Sequence, residues 1–240
     1  MYDMSNGVGA HEVLIESPYH EKDIPDLLNS EIESFLNMYC RRALDLVKDK
    51  RFKYIMVFKN YGAAAGASLE HPHTQLVALP MVPKNVMEEI KGAHNYFEYR
   101  ERCIFCDIIR QETQEKERVI LENKYFLSFC PFVSRFPFEI WIIPKKHNGL
   151  FCHMPQEEFP ALAAILKETI SKLKKIFPNV SYNFIIHSSP VNGESSGVEG
   201  YHWHIEFMPK LTRVAGFEWG TGFYLVSTPP EMAAEYLRNK

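Results

Sequence analysis

The sequence lacks a long apolar run, a net charge of either sign worth the name, and the cysteines of a disulfide scaffold. No hydrophobic stretch approaches the roughly 20 residues that a helix needs to cross a bilayer. The chain opens on polar Met1-Tyr2-Asp3-Met4-Ser5-Asn6 instead of an apolar leader. Both absences argue against a membrane partner and make the cytoplasm the expected compartment. Lysine and arginine total 27 against 30 aspartates and glutamates, a formal charge of −3, and neither sign is bunched. Nucleic acid and anionic lipid surfaces therefore have no broad basic face to bind, and any anionic ligand must be held locally. The five cysteines, Cys40, Cys103, Cys106, Cys130 and Cys152, are odd in number and not spaced like disulfide partners, which suits a reducing compartment. What is present is a 46% hydrophobic content over 240 residues, enough to bury the core of one large domain or two ordinary ones.

The chain repeats itself. The strand-like stretch from Gly9 to Ser17 leads through Pro18 to His20, and Phe136 to Ile143 leads through Pro144 to His147. Each is followed by a segment with apolar residues at helical spacing, about Pro25 to Lys50 and about Gln156 to Phe177. A second strand comes next, Tyr54–Phe58 or Tyr182–Ile186, then a glycine-bearing loop, then a paired-histidine strand: His71-Pro72-His73 in one half, His202-Trp203-His204 in the other. The expected fold is α+β, two related halves, each an antiparallel sheet flanked by helices, at 1–99 and 100–240. Only the second half has a CxxC pair before its first histidine, Cys103-Ile104-Phe105-Cys106, so the first half is expected to lack its front.

Chemistry concentrates at Glu70-His71-Pro72-His73-Thr74-Gln75. The small residues of Asn60-Tyr61-Gly62-Ala63-Ala64-Ala65-Gly66-Ala67-Ser68 would let backbone N–H groups approach an anion closely. In an extended strand His71, His73 and Gln75 project from one face. A CxxC pair alone fits either a redox couple or a metal site. The repeat favours metal, since Cys103, Cys106, His147 and His202 make a four-ligand set of the kind zinc prefers, closed and therefore structural. By the same repeat His20 and His71 form half of an equivalent first site. Cys40, Cys130 and Cys152 read as buried apolar residues. His11, His94, His153 and His187 receive no role, and His204 with Glu206 is expected to be structural.

Ser17-Pro18-Tyr19-His20, the Asn60–Gln75 segment, Phe136-Pro137-Phe138-Glu139, Gly200-Tyr201-His202-Trp203-His204-Ile205-Glu206 and Ala215-Gly216-Phe217-Glu218-Trp219-Gly220-Thr221-Gly222 together resemble the galactose-1-phosphate uridylyltransferases of the histidine-triad superfamily. The resemblance implies a nucleotidyltransferase of galactose metabolism that moves UMP between UDP-glucose and galactose 1-phosphate through a covalent uridylyl-histidine. It puts the nucleophile on His73 and a phosphoryl hydrogen bond on Gln75. Asn60 and Ser68, with Gly66 between them, fall in the phosphate site, and Phe217 and Glu218 fall near the hexose. It assigns metal ligation to His71 and His20, with zinc as the expected cofactor and a homodimer as the expected assembly. The tail and the zinc pattern also resemble the branch that contains ADP-glucose phosphorylases, which transfer an adenylyl group with the same histidine chemistry. An alternative of another class is a truncated protein that binds nucleotides without turnover.

Overall fold

A computed structural model describes residues 6–193 and 200–240. Part of the second half's glycine-bearing loop, residues 194–199, lies outside the described residues. The eight strands are β1 (Ala10–Ile15), β2 (Tyr54–Tyr61), β3 (His73–Leu79), β4 (Val119–Glu122), β5 (Phe126–Phe129), β6 (Ile140–Pro144), β7 (Tyr182–His187) and β8 (His204–Pro209). They form one sheet in the order β1-β3-β2-β7-β8-β6-β5-β4, antiparallel throughout. The α+β class is as expected. The two half-sheets, however, are not separate: β2 and β7 pair along Val57–Tyr61 and fuse them.

The register shows how the halves correspond. Phe58 lies opposite Gln75 as Ile185 lies opposite Glu206, and Leu14 faces Thr74 as Ile142 faces Ile205. His73 is thus the counterpart of His204, Gln75 of Glu206, Asn60 of His187 and Lys59 of Ile186. Phe58 and Ile185 are both counterparts and direct neighbours across the seam, so the local twofold axis passes between them. Strands β4 and β5 have no counterpart in the first half among the described residues.

Helices α1 (Asn29–Leu46) and α4 (Phe159–Ile176) occupy corresponding places on one face of the sheet. In α1 the Glu31 carboxylate accepts the Leu28 N–H at 2.7 Å, which caps the first turn. Its apolar stripe, Ile32, Phe35, Leu36, Tyr39 and Ala43, is buried. In α4, Pro160 sits in the first turn where its missing N–H costs nothing, and Lys174 and Lys175 lie at the negative end of the helix dipole. Both helices start and end within a few residues of the expected segments. The other face is covered by α2 (Lys84–Arg100) and α3 (Ile104–Glu115), which pack Val86, Ile90, Phe105 and Ile109 against Leu127, Phe129 and Ile143. Although α2 precedes the expected division at residue 99, it packs with the second half. Over β1 this face stays open, with Val13 50% and Ile15 58% exposed. Short helix α5 (Gly216–Thr221) buries no residue, and α6 (Pro230–Arg238) packs Ala233, Ala234 and Leu237 into the core.

Between α1, α4 and the first half-sheet lies a buried polar network. Lys59, 1% exposed, pairs with Glu16, and Glu16 also accepts hydrogen bonds from the Thr74 and Tyr39 hydroxyls. Tyr182 donates to Asp23 at 2.7 Å, and Lys174 reaches the same carboxylate. The twofold-related positions of Lys59 and Thr74 are Ile186 and Ile205, so this charge lies only beneath the strand that carries His73.

Candidate functional site

His73 opens β3 and is 4% exposed. Its Nδ1–H donates to the His71 carbonyl oxygen at 2.8 Å, an acceptor that fixes the tautomer and leaves the lone pair on Nε2. It lines a cleft of about 480 Å³ together with Asn60, Gly62, Ser68, Glu70 and His71. The small-residue loop forms the cleft wall. Gly62 has φ +80°, and a Cβ there would lie 2.3 Å from the Ser181 hydroxyl oxygen. Ala63–Ala65 make one 3₁₀ turn, closed by Gly66 at φ +81°.

His71 is not on the strand face with His73 and Gln75, as an extended 71–75 would require. It precedes β3, its Nε2 meets the Ser17 carbonyl oxygen at 2.8 Å, and its Nδ1 lies 3.1 Å from His20 Nδ1. The cause is local: Pro72 offers no N–H and biases its predecessor's backbone, so regular pairing starts at His73 and Pro72 adds only its carbonyl oxygen, which accepts the Glu16 N–H at 3.2 Å. His20 and His71 are thus brought together as two potential ligands. Gln75 shares the His73 face but is turned to His11 Nε2 at 2.8 Å and is absent from the cleft lining. Phe217 and Glu218, on α5, do not line the cleft either.

Cys103, Cys106, His147 and His202 converge from the start of α3, the loop after β6 and the approach to β8, with one ligand atom of each within 4.8 Å of the others. Cys106 Sγ lies 3.5 Å from His147 Nδ1 and 3.7 Å from His202 Nδ1. Those separations match the edge, about 3.5 Å, of a tetrahedron with metal–sulfur and metal–nitrogen bonds of zinc length. Hydrogen bonds from Cys106, His147 and His202 hold the Cys103 thiol well below its ordinary pKa, while the same bond to Cys103 drives the Cys106 thiol up. The donor set, its spacing and its charge all fit a tetrahedral divalent ion.

A third cluster was not foreseen. His187 and His204 stack with ring centroids 4.9 Å apart and planes 9° from parallel, and Trp141 stacks on the other side of His204 at 4.5 Å. Glu89 from α2 bonds His187 Nδ1 at 3.0 Å, Glu206 lies 3.1 Å from His187 Nε2, and Arg135 bonds Glu206. Burial works against a charged His187, but Glu206 and Glu89 overcome it and take its pKa up to about 10. Burial lowers that of His204, reinforced by the His187 charge. The Glu206 carboxyl, which burial alone would raise, is held far below its usual range by His187 and Arg135. Matching His204 to His73 along the repeat is the sequence signal for this cluster, because the strand neighbours then follow by period two.

Family comparisons agree with this architecture. The N-terminal domain family of galactose-1-phosphate uridyl transferase matches residues 1–83, and the C-terminal domain family matches residues 89–229. An ADP-glucose phosphorylase of Arabidopsis thaliana is 39% identical over 232 residues, 97% of this chain and 65% of that protein. A galactose-1-phosphate uridylyltransferase of Thermotoga maritima is 33% identical over 96% of this chain and 74% of its own length. The crystal structure of an Arabidopsis ADP-glucose phosphorylase with bound ADP-glucose superposes with a TM-score of 0.90 at 38% identity, covering 97% of this chain and 74% of that one. The chain thus spans about two thirds to three quarters of these relatives and carries parts of both their domains, and it belongs to the galactose-1-phosphate uridyl transferase family.

Proposed function

We propose that the chain is a nucleotidyltransferase that moves UMP between UDP-glucose and galactose 1-phosphate through a covalent intermediate on His73. The observation that carries this reading is the fixed tautomer of His73 at the cleft, with Nδ1 engaged by the His71 carbonyl and Nε2 left as the nucleophilic nitrogen. In the first step Nε2 attacks the α-phosphorus. A P–N bond forms, the P–O bond to glucose 1-phosphate breaks, and glucose 1-phosphate leaves with the electron pair. In the second, a phosphate oxygen of galactose 1-phosphate attacks the same phosphorus and the imidazole departs. Asn60, Ser68 and the backbone N–H of Ala63 at the cleft wall are the donors for the non-bridging oxygens, and positioning of this kind supplies most of the rate in phosphoryl-type transfer. Gln75 joins them on releasing His11.

The close plant relative supports a second reading with the same histidine chemistry, adenylyl transfer from ADP-glucose to phosphate. Zinc at Cys103, Cys106, His147 and His202, with all four positions filled by protein, has a structural role and pins α3 to the sheet. His20 and His71 contribute two ligands to another zinc ion. Five cysteines without a disulfide suit a reducing, cytoplasmic setting, and no helix among the described residues is long and apolar enough to cross a membrane. Phe217, Trp219, Phe223 and Leu225 are 50–80% exposed on one short segment, an apolar arm suited to a second copy of the chain, where Phe217 and Glu218 would meet the hexose.

Incubation with UDP-glucose or ADP-glucose labelled at the α-phosphate tests the function. Acid-labile label on the wild-type chain, absent from His73→Ala, is the expected result, and the labelling nucleotide identifies the base. Nucleotide binding without label transfer would instead make the chain a non-catalytic nucleotide-binding protein.

A further inference from the structure

We infer that Asn183, on β7 of the second half, is a positioning residue for the phosphate site of the first half, because it dictates which way the Asn60 amide points. The inference rests on the phosphate role proposed for Asn60.

Asn60 and Asn183 are direct cross-strand neighbours on the seam between β2 and β7. Asn183 Nδ2 donates twice, to Asn60 Oδ1 at 2.7 Å and to the Ala65 carbonyl oxygen at 2.9 Å. The chemistry of these partners allows one orientation. A backbone carbonyl only accepts, so the Asn183 atom facing Ala65 is the amide nitrogen. That nitrogen only donates, so the Asn60 atom facing it is the carbonyl oxygen. Asn60 Nδ2 is therefore turned away from the seam and has no hydrogen-bond partner among the described residues. Asn60 lines the cleft beside His73, so the cleft receives an amide donor, the group a phosphoryl oxygen needs.

The second bond fixes the loop. Ala65 ends the 3₁₀ turn, and Gly66 follows in the left-handed region. One side chain thus holds both the strand donor and the backbone turn in a single frame, and Ser181, two residues earlier on the same side, closes on Gly62. Continuing the seam register puts Met56 and His187 at the twofold-related positions, a pair without an amide. The clamp belongs to the His73 side alone.

Two substitutions separate orientation from packing. Asn183→Ala removes both bonds. Asn183→Asp keeps the shape but can only accept, so it repels the Ala65 carbonyl and draws Asn60 Nδ2 inward, which presents Asn60 Oδ1 to the phosphate. In His73 labelling with α-labelled UDP-glucose and ADP-glucose, the half-saturating concentration should rise about tenfold for Asn183→Ala and further for Asn183→Asp, with a smaller loss in maximal rate. In an Asn60→Ala background either change should add less than about twofold, as expected when one residue acts through the other. Variants within twofold of wild type, or losses that multiply with Asn60→Ala, would overturn the inference. A ligand-free readout stands apart from activity. In the wild-type NMR spectrum the Asn183 side-chain amide protons should exchange slowly with solvent and those of Asn60 quickly, and the opposite order would also overturn it. Wild-type protein that takes label from neither nucleotide refutes the proposed function, and the exchange order then still decides the orientation.

Discussion

His73 donates from Nδ1 to the His71 carbonyl at 2.8 Å, and its counterpart His204 makes the same bond to the His202 carbonyl at 3.2 Å. The two imidazoles share a backbone device and differ in surroundings. One opens on a cleft, while the other is fully buried between His187 and Trp141. Substitution should separate them. His73→Gln should abolish α-phosphate labelling with little change in thermal midpoint. His204→Gln should lower the midpoint by several degrees, since about 1 kcal/mol shifts a domain of this size by roughly 2–4 °C, and should leave labelling of His73 detectable.

The buried ion cluster predicts opposite limbs in a stability–pH curve. His187 has a raised pKa in the folded state, so its contribution is complete below the ordinary histidine value and is lost as pH climbs toward about 10. Glu206 has a depressed pKa, so its contribution is present above the ordinary glutamate value and lost on acidification. Glu89, His204 and Arg135 face the same space: Arg135 stays charged throughout, while Glu89 and His204, both with lowered pKa values, add to the loss on acidification. Chemical denaturation of wild type and Glu206→Gln from pH 4 to pH 10 should show the variant less stable by about 3–5 kcal/mol near pH 6, the usual cost of breaking a buried pair. The gap should narrow at both ends.

Metal content checks the cysteine–histidine site directly. Elemental analysis should find zinc, and Cys106→Ser should lose one equivalent per chain. A chelator should lower the unfolding midpoint of wild type by roughly 5–10 °C but have a much smaller effect on the variant. Full zinc retention in Cys106→Ser would remove this assignment.

The exposed arm makes a prediction about assembly. Sedimentation of the wild-type chain should give a dimer, and the double change Trp219→Ser with Phe223→Ser should give a folded monomer with unchanged helix content. A wild-type monomer at micromolar concentration would end the proposal of a shared interface.

Lys59 tests the polar network. Lys59→Met leaves Glu16 buried without its cation and should cost about 3–5 kcal/mol. The double variant Lys59→Met with Glu16→Gln should recover part of that loss. Thr74 and Tyr39 still bond position 16, so unfolding in denaturant measures the Lys59–Glu16 term by the usual cycle.

Much of this was legible in the sequence because its signals are local. Period-two alternation puts His73 and Gln75 on one face, helical spacing marks the buried stripes of α1 and α4, and the repeat by itself collects Cys103, Cys106, His147 and His202. His71 lines the same cleft as His73 but lies before β3, because Pro72 has no N–H with which to extend the ladder. The seam escaped for a different reason: Asn60 and Asn183 are more than a hundred residues apart, and no local pattern says which strand edges will meet. The cluster around His187 stayed hidden because it needs Glu89 from α2, a helix that sequence order assigns to the first half and packing gives to the second.

The seam also constrains how the molecule can come apart. The backbone between β3 and α2 could be severed near Pro80–Pro83 without touching a single β2–β7 hydrogen bond, so covalent division and structural division fall in different places. Each piece alone would expose one open strand edge, β2 in the first and β7 in the second, and the natural cap for that edge is the other piece. The two halves behave as complementary fragments of one sheet rather than as neighbouring domains.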